Sequence, residues 1–234
     1  MEVRNSDRFI TAYNKINEAM KDITEIQEHL SFFRLIDLAK KKSAIIRKYE
    51  ADLREYGDLR NAIIHHRTST EYAIAEPHDD VVLIMEEISA TLTKPITVGE
   101  AFQTKVTTFQ GTDSLSYALK VIKERKYNQF PVYDGTEFRG LITPVGITKW
   151  LASTVDSESF SRKKTTLDEI LEYENSRENH QFIKSDASIY RAEEMFKIAI
   201  AKGRRLEALL ITDTGKSSEK LLGIITPMNM LQVD

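Results

Sequence analysis

The segment Gly140-Leu-Ile-Thr-Pro-Val-Gly146 recurs as Gly223-Ile-Ile-Thr-Pro-Met-Asn229. An internal repeat constrains the architecture before any single side chain is interpreted. In each copy an apolar run of strand character precedes the motif, and a short helical pattern follows it. The glycine lets the backbone approach closely, and the two aliphatics reach into a core. Threonine at the strand-to-helix turn offers a hydroxyl beside free N–H groups. Together these make a cradle for a phosphate or a ribose. The same Thr-Pro pair also fits a purely local role, as the N-cap of a helix whose first position takes proline.

At 234 residues the chain has room for two modest domains, or for one domain with an appended helical piece. A net charge of -3 gives no global attraction to nucleic acid, so contact with RNA has to be local. There is no cysteine, which excludes disulfides, thiolate metal sites and cysteine nucleophiles. The histidines at 29, 65, 66, 78 and 180 form no evident metal-ligand set at helical spacing. No apolar stretch approaches membrane-spanning length. The opening MEVRNSDRF also lacks the apolar core of a secretion signal. The expectation is a cytoplasmic protein with no membrane, metal or obligatory cofactor.

Residues 7 to about 67 read as helical throughout. Phe9, Tyr13, Ile16, Met20 and Ile23 form one helix stripe, and Ser6-Asp7 can cap its start. A second helix is expected over 31–49, burying Phe33, Ile36, Ala39 and Ile46. Gly57-Asp58 reads as a stop followed by a new N-cap, which starts a third helix at Leu59. Residues 71–77 read as extended. Asp79 or Asp80 then caps a helix to about Thr91, and Pro95 marks a domain boundary.

Two similar series follow. The first has a lead-in at 96–98, a short strand at 106–109 and a helix over 113–123. Strands at 130–133 and 138–142 and a last helix through Leu151 complete it. The second has a lead-in at 167–171, a strand at 181–183 and a helix over 187–202, then strands at 208–211 and 220–225. Its extra residues fall within 201–205 and 214–218, and residues 153–166 have the composition of a linker.

Phe130-Pro-Val-Tyr-Asp-Gly135 with Arg139-Gly-Leu-Ile-Thr143, and Leu209-Leu-Ile-Thr-Asp213 with Leu221-Leu-Gly-Ile-Ile-Thr226, resemble the cystathionine-β-synthase-type or CBS domain. The resemblance spans roughly residues 92–234. It implies two clefts related by a pseudo-twofold axis that take adenosine compounds such as AMP, ADP, ATP or S-adenosylmethionine. It also implies that Thr143 and Thr226 contact phosphate or ribose. In the family an aspartate three residues later holds the ribose hydroxyls. Here that position is Gly146, with no acceptor, and Asn229, with a neutral one. The second cleft, at Thr226 and Asn229, is therefore the better binding candidate.

Further upstream, Arg60-Asn61-Ala-Ile-Ile-His65 places Asn61 and His65 on one helix face at i, i+4. Arginine can hold a phosphate through its fork, and histidine exchanges protons near neutral pH. These are roles that metal-free RNA cleavage requires. Over residues 5–92 this element resembles the Arg-polar-x3-His signature of the HEPN helical superfamily, many of whose members are metal-independent ribonucleases acting as dimers. The resemblance implies Arg60 and His65 as the catalytic pair, Asn61 as support, and His66 as an alternative to His65. The same residues also fit hydrogen-bonded packing at a dimer surface. Lys40-Lys-Lys42 with Arg47-Lys48 could track RNA or simply be a solvated face. Trp150 reads as core or interface.

The expected fold is α+β: an all-α, HEPN-like domain over 1–92, then β-α-β-β-α repeats over 93–155 and 156–234. The expected protein is a homodimer in which an adenosyl ligand regulates the helical domain, itself a candidate endoribonuclease acting on RNA. The alternative is a non-catalytic nucleotide-sensing scaffold.

Overall fold

Phe9, Tyr13, Ile16 and Met20 line one face of α1, Asn5–Thr24, and all four are buried. Their spacing of three and four keeps them on one side of a 3.6-residue helix. That side packs against α5, Asp79–Thr93, whose Val82, Met85 and Ile88 are also buried. Phe32, Leu35 and Ile36 of α2, Phe32–Ala39, and Leu53 and Ile63 of α4, Glu50–His65, complete this core. Each such side chain stabilises the fold by roughly 1.5–3 kcal/mol on leaving water. The structure, a computed structural model, describes residues 3–26, 28, 30–65, 75–125, 128–155, 165–174 and 178–231. These fall into two compact units, residues 1–96 and 97–234.

Several local expectations for the helical unit are corrected, among them the cap of α5, which is His78 without a side-chain cap bond and not Asp79 or Asp80. The N-cap of α1 is Arg4, without a side-chain cap bond. The orphan N–H of Ser6 is instead satisfied from afar, since Glu76 accepts from both its N–H and its hydroxyl at 2.8 Å. The helix expected over 31–49 is broken into α2 and α3, Ala44–Lys48, because Ser43 accepts the Ile46 N–H and caps a new start. Within α2, Phe32 and Leu35 are buried while Phe33 is only half-buried. Gly57 does not stop a helix but lies inside α4, where a Cβ would meet the Phe33 ring at 3.0 Å and Phe32 at 3.2 Å. Close approach of two helices, not termination, requires glycine there. Of the stretch expected to be extended, residues 71–74 lie outside the described residues.

In the second unit β1, Phe109–Gln110, pairs parallel to β2, Phe130–Asp134, which pairs antiparallel to β3, Glu137–Ile142. The repeat has the same arrangement: β4, His180–Lys184, runs parallel to β5, Ala208–Thr212, and β5 antiparallel to β6, Gly223–Ile225. Parallel neighbours need a long crossover. It is supplied by α7, Leu115–Glu124, in the first series and by α10, Ile189–Ala201, in the second. Helix α8, Pro144–Ser153, follows β3, and the short α11, Pro227–Met230, follows β6.

The lead-in helices are exchanged between the series. Helix α6, Val98–Phe102, opens the first but packs on the second sheet. Val98 lies in a core with Ile183, Phe196, Leu209 and Ile225. The Val98 N–H donates to the Ala187 carbonyl, and that of Gly99 to the Ser185 carbonyl, both at 2.8 Å. Conversely, α9, Leu167–Leu171, buries Leu167 and Ile170 with Phe109, Phe130 and Trp150 of the first series. Both lead-ins start with a capping box, Thr97 with Glu100 and Thr166 with Glu169. Leu141, Ala208 and Leu210, flanked by Phe138 and Phe182, pack the two sheets together.

The duplicated glycines serve this exchange. A Cβ at Gly223 would lie 2.4 Å from the Phe102 carbonyl oxygen at the end of α6, and one at Gly140 would lie 2.9 Å from Leu171 Cδ2 at the end of α9. The first obstacle is backbone and the second a flexible side chain. Gly223→Ala should therefore lose about 1–3 kcal/mol. Gly140→Ala should lose only the about 0.5–1.5 kcal/mol of an adjusted rotamer. Urea unfolding of both variants tests this ranking, and a larger loss at Gly140 would refute it.

Candidate functional site

The Thr226 turn closes on itself. The N–H and hydroxyl of Thr226 donate to Asn229 Oδ1 at 2.9 and 2.8 Å, and the Asn229 N–H returns to Thr226 Oγ1 at 3.4 Å. Both residues line a cleft of about 490 Å³ whose other walls include Lys105, Thr107, Asn128 and Gln129. That volume lies within the range of small-molecule sites. The side chains offer a cation, two amides and hydroxyls around one concave surface. Thr104, Lys105 and Val106 also line a second, larger cleft of about 840 Å³, with Tyr133, Thr136 and Lys220. Its rim is ordered by Glu219, which accepts from the N–H and hydroxyl of Thr214. Those bonds hold the Glu219 carboxyl down to about 2.

The Thr143 turn solves the same problem with a different residue. Thr143 caps α8, its Oγ1 accepting from Val145 N–H at 3.2 Å. Its own N–H and hydroxyl go to Glu174, to Oε1 at 2.6 Å and Oε2 at 3.0 Å. Asn179 Nδ2 adds a third donor to Glu174 Oε2 at 3.1 Å and also reaches the Leu141 carbonyl at 3.0 Å. Burial pushes the Glu174 carboxyl above its ordinary range, against the lowering effect of these hydrogen bonds. Gly146 leaves the space open, since a Cβ there would lie 2.2 Å from Glu174 Oε1. Thr143 is 1% exposed, so its donors are committed inward. Glu174 was not singled out from the sequence. The signal that could have found it is the missing acceptor at Gly146, which obliges another residue to satisfy two buried donors.

In the helical unit, the Arg60 guanidinium lies 5.2 Å from the Tyr13 ring centroid, and its Nη1 donates to Asn61 Oδ1 at 3.3 Å. Tyr13 is itself stacked on Phe32 at 4.2 Å. Burial pushes the Tyr13 hydroxyl up, opposed by the Arg60 charge. Arg60 and Asn61 line a cleft of about 290 Å³ with Asn14, Asn17, Lys21 and Ser31. Arg60 Nε is buried without a hydrogen-bond partner, and no carboxylate pairs with Arg60 among the described residues. His65 is the last residue of α4; its side chain, and all of His66, lie outside the described residues. The structure thus brings Arg60 and Asn61 together and leaves the partner histidine undescribed. Much of the basic run at 40–42 is already neutralised. Lys40 pairs with Asp37 at 3.3 Å and Glu50 at 2.8 Å, and Lys42 approaches Glu25 at 3.8 Å. Trp150 is 6% exposed, in the core of the first series.

With this geometry in view, residues 98–153 match the family model for the CBS domain. Among solved structures, the chain is similar to the CBS domains of a transcriptional regulator from Streptococcus pneumoniae. That match has 18% identity over 58% of this chain and 98% of that one, with a TM-score of 0.40. It is also similar to CBSX2 in complex with AMP, at 16% identity over 58% and 93%, with a TM-score of 0.41. A hexameric CBS-CP12 protein from bloom-forming cyanobacteria matches at 17% identity over 60% and 72%, with a TM-score of 0.43. No curated protein sequence matches the chain. Among the described residues, no helix is long and apolar enough to cross a membrane, and no group of three or more His, Asp or Glu could hold a metal ion.

His180 extends the Glu174 network, with Nδ1 2.8 Å from Asn179 Oδ1 and the ring edge-on to Phe138 at 4.9 Å. Burial holds its imidazole down to about 4, from the ordinary 6.5. The unfolded chain therefore takes up this proton below pH 6.5, and the folded chain only near pH 4. Its contribution to stability is complete above 6.5 and is lost as pH falls toward 4. Glu174, shifted upward, acts in the opposite sense. His180→Phe should remove up to one proton of pH dependence, about 1.4 kcal/mol per pH unit, between pH 6.5 and 4. Urea unfolding across that range measures it, and an unchanged slope would contradict the assignment.

Proposed function

We propose that this is a regulatory protein whose CBS pair takes up an adenine nucleotide at the Thr226–Asn229 turn and so controls the helical domain. The observation that carries the reading is the cleft itself. Among the described residues the Thr226 and Asn229 side chains pair with each other alone, in one turn on the wall of a cleft that also holds Lys105 and two further amide side chains. A ligand hydroxyl or phosphate can replace the internal Thr226–Asn229 bonds one for one, so little hydrogen bonding is lost on binding. Lys105 favours a ligand carrying phosphate, AMP, ADP or ATP, over S-adenosylmethionine. Control of the helical domain, as a homodimer, requires the ligand to favour one of two arrangements of that domain.

Calorimetry of the full chain with these four ligands tests the reading. Thr226→Val should weaken nucleotide binding at least about tenfold, equivalent to about 1.4 kcal/mol. Lys105→Ala should weaken ATP more than S-adenosylmethionine. Silence from all four ligands on the wild type would overturn it.

For the helical domain the proposed activity is metal-independent RNA cleavage of the HEPN type. Arg60 would hold the phosphate, Asn61 would orient Arg60, and His65 would transfer the proton. What supports it is the half-buried guanidinium with an unpaired Nε and no carboxylate partner, since a buried cation left unpaired is costly unless an anion visits it. RNA cleavage by wild type, Arg60→Ala and His65→Ala is the test. Loss of about 100-fold or more is expected for each variant. Full activity in both would remove the catalytic assignment and leave the non-catalytic sensor.

A further inference from the structure

We propose that Glu174 is a built-in carboxylate ligand of the first strand-to-helix turn, and that it limits the C-terminal unit to one phosphate-bearing ligand per chain, at the second turn. The second clause rests on the nucleotide reading of the Thr226 cleft; the first stands independently. Both turns present the same two donors, a threonine N–H and its hydroxyl, to a single side chain. At Thr226 the acceptor is Asn229, a neutral amide three residues on, on the edge of an open cleft. At Thr143 the residue three on is Gly146, and the acceptor arrives from the segment that follows α9.

The glycine and the carboxylate are one solution. Oε1, Cδ and Cγ of Glu174 lie 2.2, 2.5 and 2.9 Å from where a Cβ of residue 146 would be, so any side chain there excludes Glu174. Glu174 consumes the Thr143 N–H, the Thr143 hydroxyl and one Asn179 amide hydrogen. A phosphate approaching this turn would meet a carboxylate of its own sign and no free threonine donor. Removing Glu174 would leave three convergent donors at the start of a ten-residue helix, chemistry that fits a small anion. From sequence alone, Gly146 is a lost acceptor. In the structure the acceptor is replaced, by a group that also carries charge.

The full-length chain tests this in four forms: wild type, Glu174→Ala, Gly146→Asp and the double variant. Glu174→Ala should lower the melting temperature by roughly 4–8 °C, because three buried donors lose an acceptor. Tens of millimolar acetate should restore much of that loss in Glu174→Ala while leaving the wild type unchanged. Gly146→Asp alone should also melt earlier, since its side chain collides with Glu174. The double variant, with its carboxylate now three residues after Thr143, should melt above either single variant. Calorimetry should count one AMP per chain for wild type and two for Glu174→Ala. A Glu174→Ala melt equal to wild type, or a double variant no better than its parents with no acetate rescue, overturns the role of Glu174. Two AMP already bound by wild type overturns the limit on stoichiometry. If wild type binds no AMP, the nucleotide reading fails, while the acetate and double-variant results still decide where Glu174 acts. Should Glu174→Ala not fold, the comparison of Gly146→Asp with the double variant decides it.

Discussion

Neither three-stranded sheet of the C-terminal unit closes its own core. Each has a buried face that its crossover helix covers only in part, and the missing cover comes from the lead-in helix of the other series. Helix α6 inserts Val98 beside Ile183 and Ile225, and α9 inserts Leu167 and Ile170 beside Phe109 and Phe130. Backbone hydrogen bonds at 2.8 to 3.0 Å, from Val98 and Gly99 on one side and Leu167 and Asp168 on the other, tie each lead-in in place. Burial and backbone satisfaction therefore demand the same exchange. One repeat alone would leave apolar surface and orphan amides exposed. Everything that positions the two turns depends on this constraint: α6 backs the glycine of the second turn, and α9 backs that of the first.

Given that scaffold, the two threonine turns face one requirement and meet it unequally. A strand ending at a helix start leaves N–H groups without partners, and each turn supplies an acceptor. Asn229 does so locally and stays at the edge of a cleft. Glu174 does so from a distance with a buried carboxyl, held by three donors and linked through Asn179 to His180. The repeat is symmetric in backbone and asymmetric in the residues that satisfy its two turns.

The helical unit shows the opposite balance. Several of its surface charges are paired, as in the Asp37, Lys40, Glu50 and Arg54 cluster. Arg60 rests on Tyr13 and is held by Asn61, without a carboxylate among the described residues. Tyr13 is thus both a core residue of the α1 stripe and the platform for a cation, which its helical spacing alone could not reveal. That pairing is the main physical reason to treat the small cleft beside it as more than a packing gap.

Much of this was legible in the chain. The α1 stripe, the α5 face and the duplicated strand-turn-helix motif follow from local periodicity and from residues whose chemistry acts at short range. So did the inequality of the turns, because glycine and asparagine differ in what they can accept. Where local pattern and structure differ, a distant residue intervenes. Gly57 read as a stop until Phe32 and Phe33 of another helix were seen against it. Ser6 read as a cap until Glu76 was seen to accept its N–H. The sequence by itself determined the helical character of the first unit, the strand-turn-helix motif that repeats, and that Thr143 and Thr226 begin helices. Only the tertiary structure decided which sheet each lead-in covers and that Glu174 occupies the space left by Gly146. Those depend on contacts between residues far apart in the chain, which no local pattern encodes.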